Sequence, residues 1–200
     1  MNAMHLTLHG LAIKKHAGPA DIAGLIGLTA AEAERQIAAA VASGRAVAAG
    51  GKFMLSPLAR IALEADYSRR YASLRENADF FAAYEAFERI NVQLKALITD
   101  WQTMEVGGQR VANDHGNQAY DSNVIDRLGD MHERADAILK RLGDGLPRLD
   151  YYRKHLLSAL EKAEDGATEW VSDAKIESYH TLWFELHEDL LRIVGRTRSE

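Results

Sequence analysis

The chain has 200 residues, 47 % of them hydrophobic, no cysteine and a formal net charge of −5. That length suits one large or two small domains with buried cores. The missing cysteine excludes disulfides, thiolate metal sites and a cysteine nucleophile. No stretch approaches the roughly 20 apolar residues of a membrane helix. Residues Met1 to Leu11 lack a basic region followed by a long apolar run, so a cytoplasmic protein with no membrane partner is the expectation.

Residues 5 to 63 read as one winged-helix unit. Gly18-Pro19 ends a first helix and opens a second, because proline lacks only an N–H that a first helical turn leaves unpaired anyway. Gly27 closes the second helix. Thr29 with Glu32 forms a capping box for a third, which runs to Ser43 and stops at Gly44. Val47, Gly50-Gly51, Phe53 and Leu55 read as a short hairpin, since paired glycines supply the positive φ angles of a two-residue turn. Ser56 then caps a connecting helix with Pro57 in its first turn.

A domain boundary is expected near residue 77, giving a winged-helix domain of residues 1–77 and a helical domain of residues 78–200. Apolar residues spaced three and four apart mark four helices in the second half. Phe80, Tyr84, Phe87, Leu94, Ile98 and Trp101 lie on the first. Val124, Leu128, Met131, Ala135 and Leu142 lie on the second. The third opens at Pro147 and carries Tyr152, Leu156 and Leu160. The fourth starts after Ser172 and carries Ile176, Tyr179, Trp183, Leu186 and Leu190. The expected fold is therefore mainly α: an N-terminal winged helix-turn-helix with a small β-hairpin wing, followed by an antiparallel four-helix bundle.

Charge is uneven. Residues 1–77 hold nine Lys/Arg and six Asp/Glu, or +3, which leaves −8 for residues 78–200. A mildly basic head fits nucleic-acid binding, and Lys14, Lys15, Arg35, Gln36, Arg45 and Lys52 are the candidate DNA contacts. The third helix argues against this partner. Its first turns read Ala30-Ala31-Glu32-Ala33-Glu34-Arg35-Gln36, so two carboxylates accompany one arginine where phosphates would lie. The other use of such a domain is protein docking.

In the second half, residues 105–119 form a connection of about fifteen residues, a length that often carries a role. Its Asn113-Asp114-His115 cluster is dense in donors and acceptors, and Asp100-Trp101-Gln102 precedes it. His180, Trp183 and His187 lie along the fourth helix. A loop folded over the helix ends would bring Asn113 near the Trp183 helix. Asp100, Trp101, Gln102, Asn113, Asp114, His115, His180, Trp183 and His187 are thus the candidate ligand-binding residues. Asn91 falls on an otherwise apolar seam, where a polar side chain needs a hydrogen-bond partner.

No metal or other cofactor is expected. Glu177 and His180 have the spacing of carboxylate-bridged bundles, but a second Glu-x-x-His is missing. Walker-type, nucleophile-elbow and dinucleotide-glycine motifs are also missing, so no catalytic residue is assigned.

Several segments together resemble a bacterial module: Leu8 to Lys15, Phe87 to Gln102, Asn113-Asp114-His115, and Tyr179 to Leu190. The module is the extra C-terminal region of some pyruvate, phosphate dikinase-like, phosphoenolpyruvate-utilising proteins, and it also occurs alone. The resemblance covers nearly the whole chain but none of the regions that perform dikinase chemistry. It implies that the polar clusters act together on a small metabolite or a partner enzyme. Two function classes follow. One is a DNA-binding transcriptional regulator whose bundle senses a ligand or forms a homodimer. The other is a non-catalytic accessory module that docks on a dikinase-like enzyme.

Overall fold

The computed structural model describes residues 2–197, and they are mainly helical. The chain falls into two compact units, one formed by Met1–Phe81 with Glu185–Glu200 and the other by Ala82–Phe184. In chain order the elements are α1 (Ala3–Lys14), α2 (Pro19–Ile26), α3 (Ala30–Ala42), β1 (Ala46–Ala49), β2 (Lys52–Leu55), α4 (Pro57–Arg70), α5 (Ala72–Arg75) and α6 (Ala78–Gln102). Then come β3 (Thr103–Val106), β4 (Gln109–Ala112), α7 (Gln118–Gly145), a 3-10 turn (Pro147–Leu149), α8 (Asp150–Glu164), α9 (Glu169–Ser172) and α10 (Tyr179–Val194). No helix among the described residues is long and apolar enough to cross a membrane.

The local signals of the first unit act as the sequence suggests. Glu32 Oε2 accepts the Thr29 N–H at 2.9 Å, and Thr29 Oγ1 accepts the Glu32 N–H at 3.2 Å. The Thr29 hydroxyl also donates to Glu32 Oε2 at 2.7 Å, and this bond first, with the Thr29 N–H second, holds the Glu32 carboxyl below its ordinary range. Asp21 Oδ2 accepts the Gly18 N–H at 2.7 Å, and Ser56 Oγ accepts the Ala59 N–H at 3.3 Å. Gly50 and Gly51 have φ of 57° and 78°, the left-handed pair that a two-residue hairpin requires. Strands β1 and β2 pair antiparallel from Ala46↔Leu55 to Ala49↔Lys52, and a bridge between Ala17 and Phe53 ties the hairpin to the segment after α1.

Helix α1 is buried on most of its circumference, at His5, Thr7, Leu8, His9, Gly10, Leu11 and Ile13. A helix enclosed in this way carries no wet face for its polar residues. Gly10 allows α2 to come close: a Cβ there would stand 3.0 Å from Ile22 Cβ and from Ile26 Cγ2. His9 Nε2 lies 3.0 Å from Asp189 Oδ1 with both side chains wholly buried, and His9 Nδ1 lies 2.8 Å from the Tyr67 hydroxyl. Lys14 Nζ is 2.8 Å from Glu185 Oε2, both nearly buried. Arg75 donates from Nε to the Ile193 carbonyl at 2.7 Å and from Nη2 to the Arg192 carbonyl at 3.1 Å, supplying donors where α10 leaves its last carbonyls open.

These contacts move the boundary. The expected second domain of residues 78–200 loses its end, because residues from Glu185 onward belong to the first unit. The apolar stripe of the fourth helix is real, but it does not reveal that Glu185 and Asp189 complement His9 and Lys14.

In the second unit the three-and-four spacing buries Phe87, Leu94, Leu128, Met131, Tyr152 and Leu156. Helix α7 packs on α8, and Pro147 opens the 3-10 turn between them. Two further expectations change. Residues 105–119 are not a structureless connection: Thr103–Ala112 form a second antiparallel hairpin, turning at Gly107 and Gly108 with φ of 59° and 78°. The fourth helix begins at Tyr179 rather than after Ser172, leaving Ile176 outside it. Asp173 Oδ1 accepts the Lys175 N–H and Ser178 Oγ accepts the Thr181 N–H, so side chains take over backbone donors and α10 starts late.

Replacing His9 by leucine leaves the wholly buried Asp189 without its imidazole, and stability in urea should fall by about 3 kcal/mol. The double variant His9→Leu/Asp189→Leu should recover most of that loss. Simple additivity of the two single losses would contradict a coupled pair.

Candidate functional site

The end of α6 exposes carbonyls that no longer have a helical donor. Asn113, just after the return strand of the second hairpin, and Tyr120, in the first turn of α7, supply donors to them. The Asn113 N–H donates to the Gln102 carbonyl at 2.9 Å, and Asn113 Nδ2 donates to the Trp101 carbonyl at 3.0 Å. The Tyr120 hydroxyl reaches the carbonyls of Asp100 at 2.8 Å and Thr103 at 2.9 Å. Asn117 Oδ1 accepts the Tyr120 N–H and so caps α7.

Asp121 sits in the first turn of α7, where a helix dipole favours a carboxylate. It is 6 % exposed. Its Oδ1 accepts from Asn113 Nδ2 at 2.8 Å, and its Oδ2 lies 3.0 Å from His115 Nδ1. Asn113 Oδ1 accepts the His115 N–H at 3.0 Å, and His115 takes a left-handed φ of 59°. The imidazole packs on Trp101 with ring centres 4.5 Å apart. A cavity of about 450 Å³ adjoins this cluster, lined by His115, Gln118, Asp121, Ser122, Asp126 and Glu164 among others. With a carboxylate at Nδ1, the neutral imidazole keeps its proton there and offers Nε2 as an acceptor. The arrangement can orient a hydrogen-bond donor or take a proton. Among the described residues no group of three or more histidines and carboxylates is placed to hold a metal ion.

Of the expected ligand residues, Trp101, Asn113 and His115 thus meet. Gln102 joins them through its carbonyl, and Asp100 through its carbonyl on Tyr120. The Asp100 carboxylate instead pairs with Arg127 at 2.8 Å, and Asp114 Oδ1 accepts the Gly116 N–H in a local turn. Trp183 belongs to a different cluster. Its Nε1 donates to Asn91 Oδ1 at 3.1 Å, which gives the polar seam residue its partner, and its ring stacks on Phe87 and Tyr179. His187 lies in the segment that joins the first unit. The expected approach of the Asn113 group to the Trp183 helix is therefore not what holds Asn113, whose hydrogen bonds go to the Trp101 carbonyl, the His115 N–H and the Asp121 carboxylate. Tyr120 and Asp121 complete the cluster and lie outside the expected ligand residues. The signal available for them is an Asn cap followed by an acidic first turn.

His132 forms a second buried polar centre in this unit. Its Nδ1 is 3.0 Å from the Tyr179 hydroxyl. Burial lowers the pKa of His132 and of His180, and it pushes that of Tyr179 far up, so Tyr179 stays a phenol. Arg153 grips the Asp136 carboxylate with two bonds, at 2.7 and 3.0 Å, and holds its pKa down.

The expected DNA contacts in the first unit have varied surroundings. Lys14 is withdrawn into its pair with Glu185. Lys52 lies 3.6 Å from Asp21, half-exposed. Lys15, Arg35 and Arg45 are exposed, and Gln36 is half-buried. Comparison with family models, curated proteins and solved structures finds no match to this chain.

Asn113→Ala removes the donor shared by the Trp101 carbonyl and Asp121. It should cost about 1–3 kcal/mol in urea unfolding and speed proteolysis within residues 103–117. An unchanged cleavage rate would show that the hairpin is held otherwise. Stability should also fall as pH drops below the ordinary histidine value of 6.5, because the unfolded chain then takes up protons that folded His132 and His180 resist. His132→Gln should flatten this decline, read from denaturation midpoints between neutral pH and pH 5. A slope identical to that of the parent chain would rule His132 out as its source.

Proposed function

We propose that this chain is a non-catalytic docking module, a winged-helix domain joined to a four-helix bundle, that acts on a partner protein rather than on DNA. The reading of the first unit as a winged helix rests on its order of three helices, a hairpin and a fourth helix, and it gives α3 the role of the presented helix.

One observation carries the choice of partner. The exposed positions of α3 are Ala30, Ala31, Glu34, Arg35, Ala38, Ala39, Val41 and Ala42. Alanines bring no donor to a base edge and no charge to a phosphate, and Glu34 offsets Arg35. The flanking Lys52 stands beside Asp21, and Lys14 is spent within the fold. A shallow surface of short apolar side chains suits close approach by another protein surface. The resemblance to the extension of dikinase-like proteins supports a phosphoenolpyruvate-utilising enzyme as that partner. The Asn113–His115–Asp121 cluster and its cavity are the place where a small metabolite would act on the module.

The test has two arms. Purified protein is mixed with genomic DNA fragments at low and near-physiological salt, and separately titrated with a dikinase-like enzyme from the same organism. Fragment retention should vanish uniformly as salt rises, and the enzyme should bind the parent chain at least about tenfold more tightly than Ala38→Glu. Retention of a specific fragment at the higher salt would overturn the docking reading in favour of the regulator.

A further inference from the structure

The cavity beside His115 and Asp121 has walls of one sign. On α7 it is lined by Gln118, Asp121, Ser122, Ile125 and Asp126, which follow one another at intervals of three and four along one helix face. The facing wall is the end of α8, with Ala163 and Glu164. Glu164 Oε1 lies 3.1 Å from where a Cβ on Gly129 would stand, so that glycine leaves room for the carboxylate against α7. Three carboxylates thus border a space of about 450 Å³, and neither lysine nor arginine lines it. Asp121 is held by Asn113 and His115. The carboxylates of Asp126 and Glu164 take part in no ion pair or hydrogen bond among the described residues.

The remaining groups favour the same charge. Helix α8 ends at the cavity with the negative end of its dipole, and Lys162 in its last turn is drawn over the Trp170 ring instead of into the lining. The positive start of α7 is already answered by the Asn117 cap and by Asp121. His115, with Nδ1 on Asp121, offers an acceptor at Nε2. A phosphate or carboxylate entering here would meet like charge on both walls, whereas a ligand carrying positive N–H donors would meet opposite charge.

We infer that this cavity binds an organic dication, a short aliphatic diamine or polyamine. The acidic groups are dispersed along the walls, and among the described residues no three are placed to hold one metal ion. Asp121 and Asp126 are separated by about 7.5 Å along the axis of α7, a span that two ammonium groups on a short methylene chain can bridge. Buried Ile125 and Ala163 offer the methylenes apolar surface between the polar groups. The inference rests on the reading of this cavity as the ligand site of the module. It adds that the regulating metabolite is a cation and not a phosphorylated acid.

Calorimetric titration of the full chain with putrescine tests it, beside butylamine, butanediol, phosphoenolpyruvate, inorganic phosphate and magnesium chloride. Putrescine should bind saturably, one per chain. Butylamine, with a single ammonium group, should bind at least about tenfold more weakly, and butanediol should not bind. Asp126→Asn and Glu164→Gln should each weaken putrescine binding about fivefold. Glu85→Gln, a change to an exposed acid on α6, should leave it unaltered. The three positions are exposed, so circular dichroism should show the fold unchanged. Absence of saturable binding at about 1 mM putrescine would overturn the proposal. So would an affinity indifferent to both Asp126→Asn and Glu164→Gln, or tighter binding of phosphoenolpyruvate, phosphate or magnesium. The docking reading is scored separately by its enzyme titration, so either can fail while the other stands.

Discussion

The first unit depends on the wholly buried contact between His9 and Asp189. Helix α1 is enclosed, so a histidine in its middle must find partners inside the fold. It finds Tyr67 on α4 through one ring nitrogen and Asp189 on α10 through the other. Nε2 faces Asp189 Oδ1 at 3.0 Å, and Nδ1 lies 2.8 Å from the Tyr67 hydroxyl. Tyr67 in turn stacks on Tyr71 and meets His5 and His9 edge-on, so the polar contact lies within an aromatic cluster. A carboxylate placed there without a partner would cost several kcal/mol. The chain after Glu185 is therefore part of this unit.

The same rule, that helix ends and buried polar groups must be answered, shapes both units. Arg75 answers the last carbonyls of α10, and Asn113 and Tyr120 answer those of α6. In the second case the answer gathers chemistry. Fixing Asn113 against the Trp101 carbonyl also fixes Asp121, and Asp121 orients His115 over the Trp101 ring. An end-capping device thus becomes a carboxylate–imidazole pair at the edge of a cavity. The buried pair of His132 and Tyr179, by contrast, lies within the core, and the Asn91–Trp183 bond serves the packing of two helices.

Surface character differs between two helices of the first unit. Helix α3 shows alanines and balanced charge, whereas α4 shows two large aliphatic side chains beside a groove. Both faces are poor in the positive charge that a nucleic acid demands, and Lys14 contributes none because Glu185 neutralises it.

What the sequence alone determined is local. The caps at Gly18, Thr29 and Ser56, the glycine stops at Gly27 and Gly44, the first hairpin and the helical stripes all act within a few residues, so their signals are written in short stretches. The Asn113 and Trp101 groups could be singled out for the same reason. The second hairpin carried the same Gly-Gly signal, but its strands are almost wholly exposed and lack the alternation that a buried face imposes. Only the tertiary structure decided that Asp189 belongs to His9, Glu185 to Lys14, Asp121 to His115 and Trp183 to Asn91. Each pairing joins separate elements, and a side chain's spacing along its own helix does not say which other element will meet it.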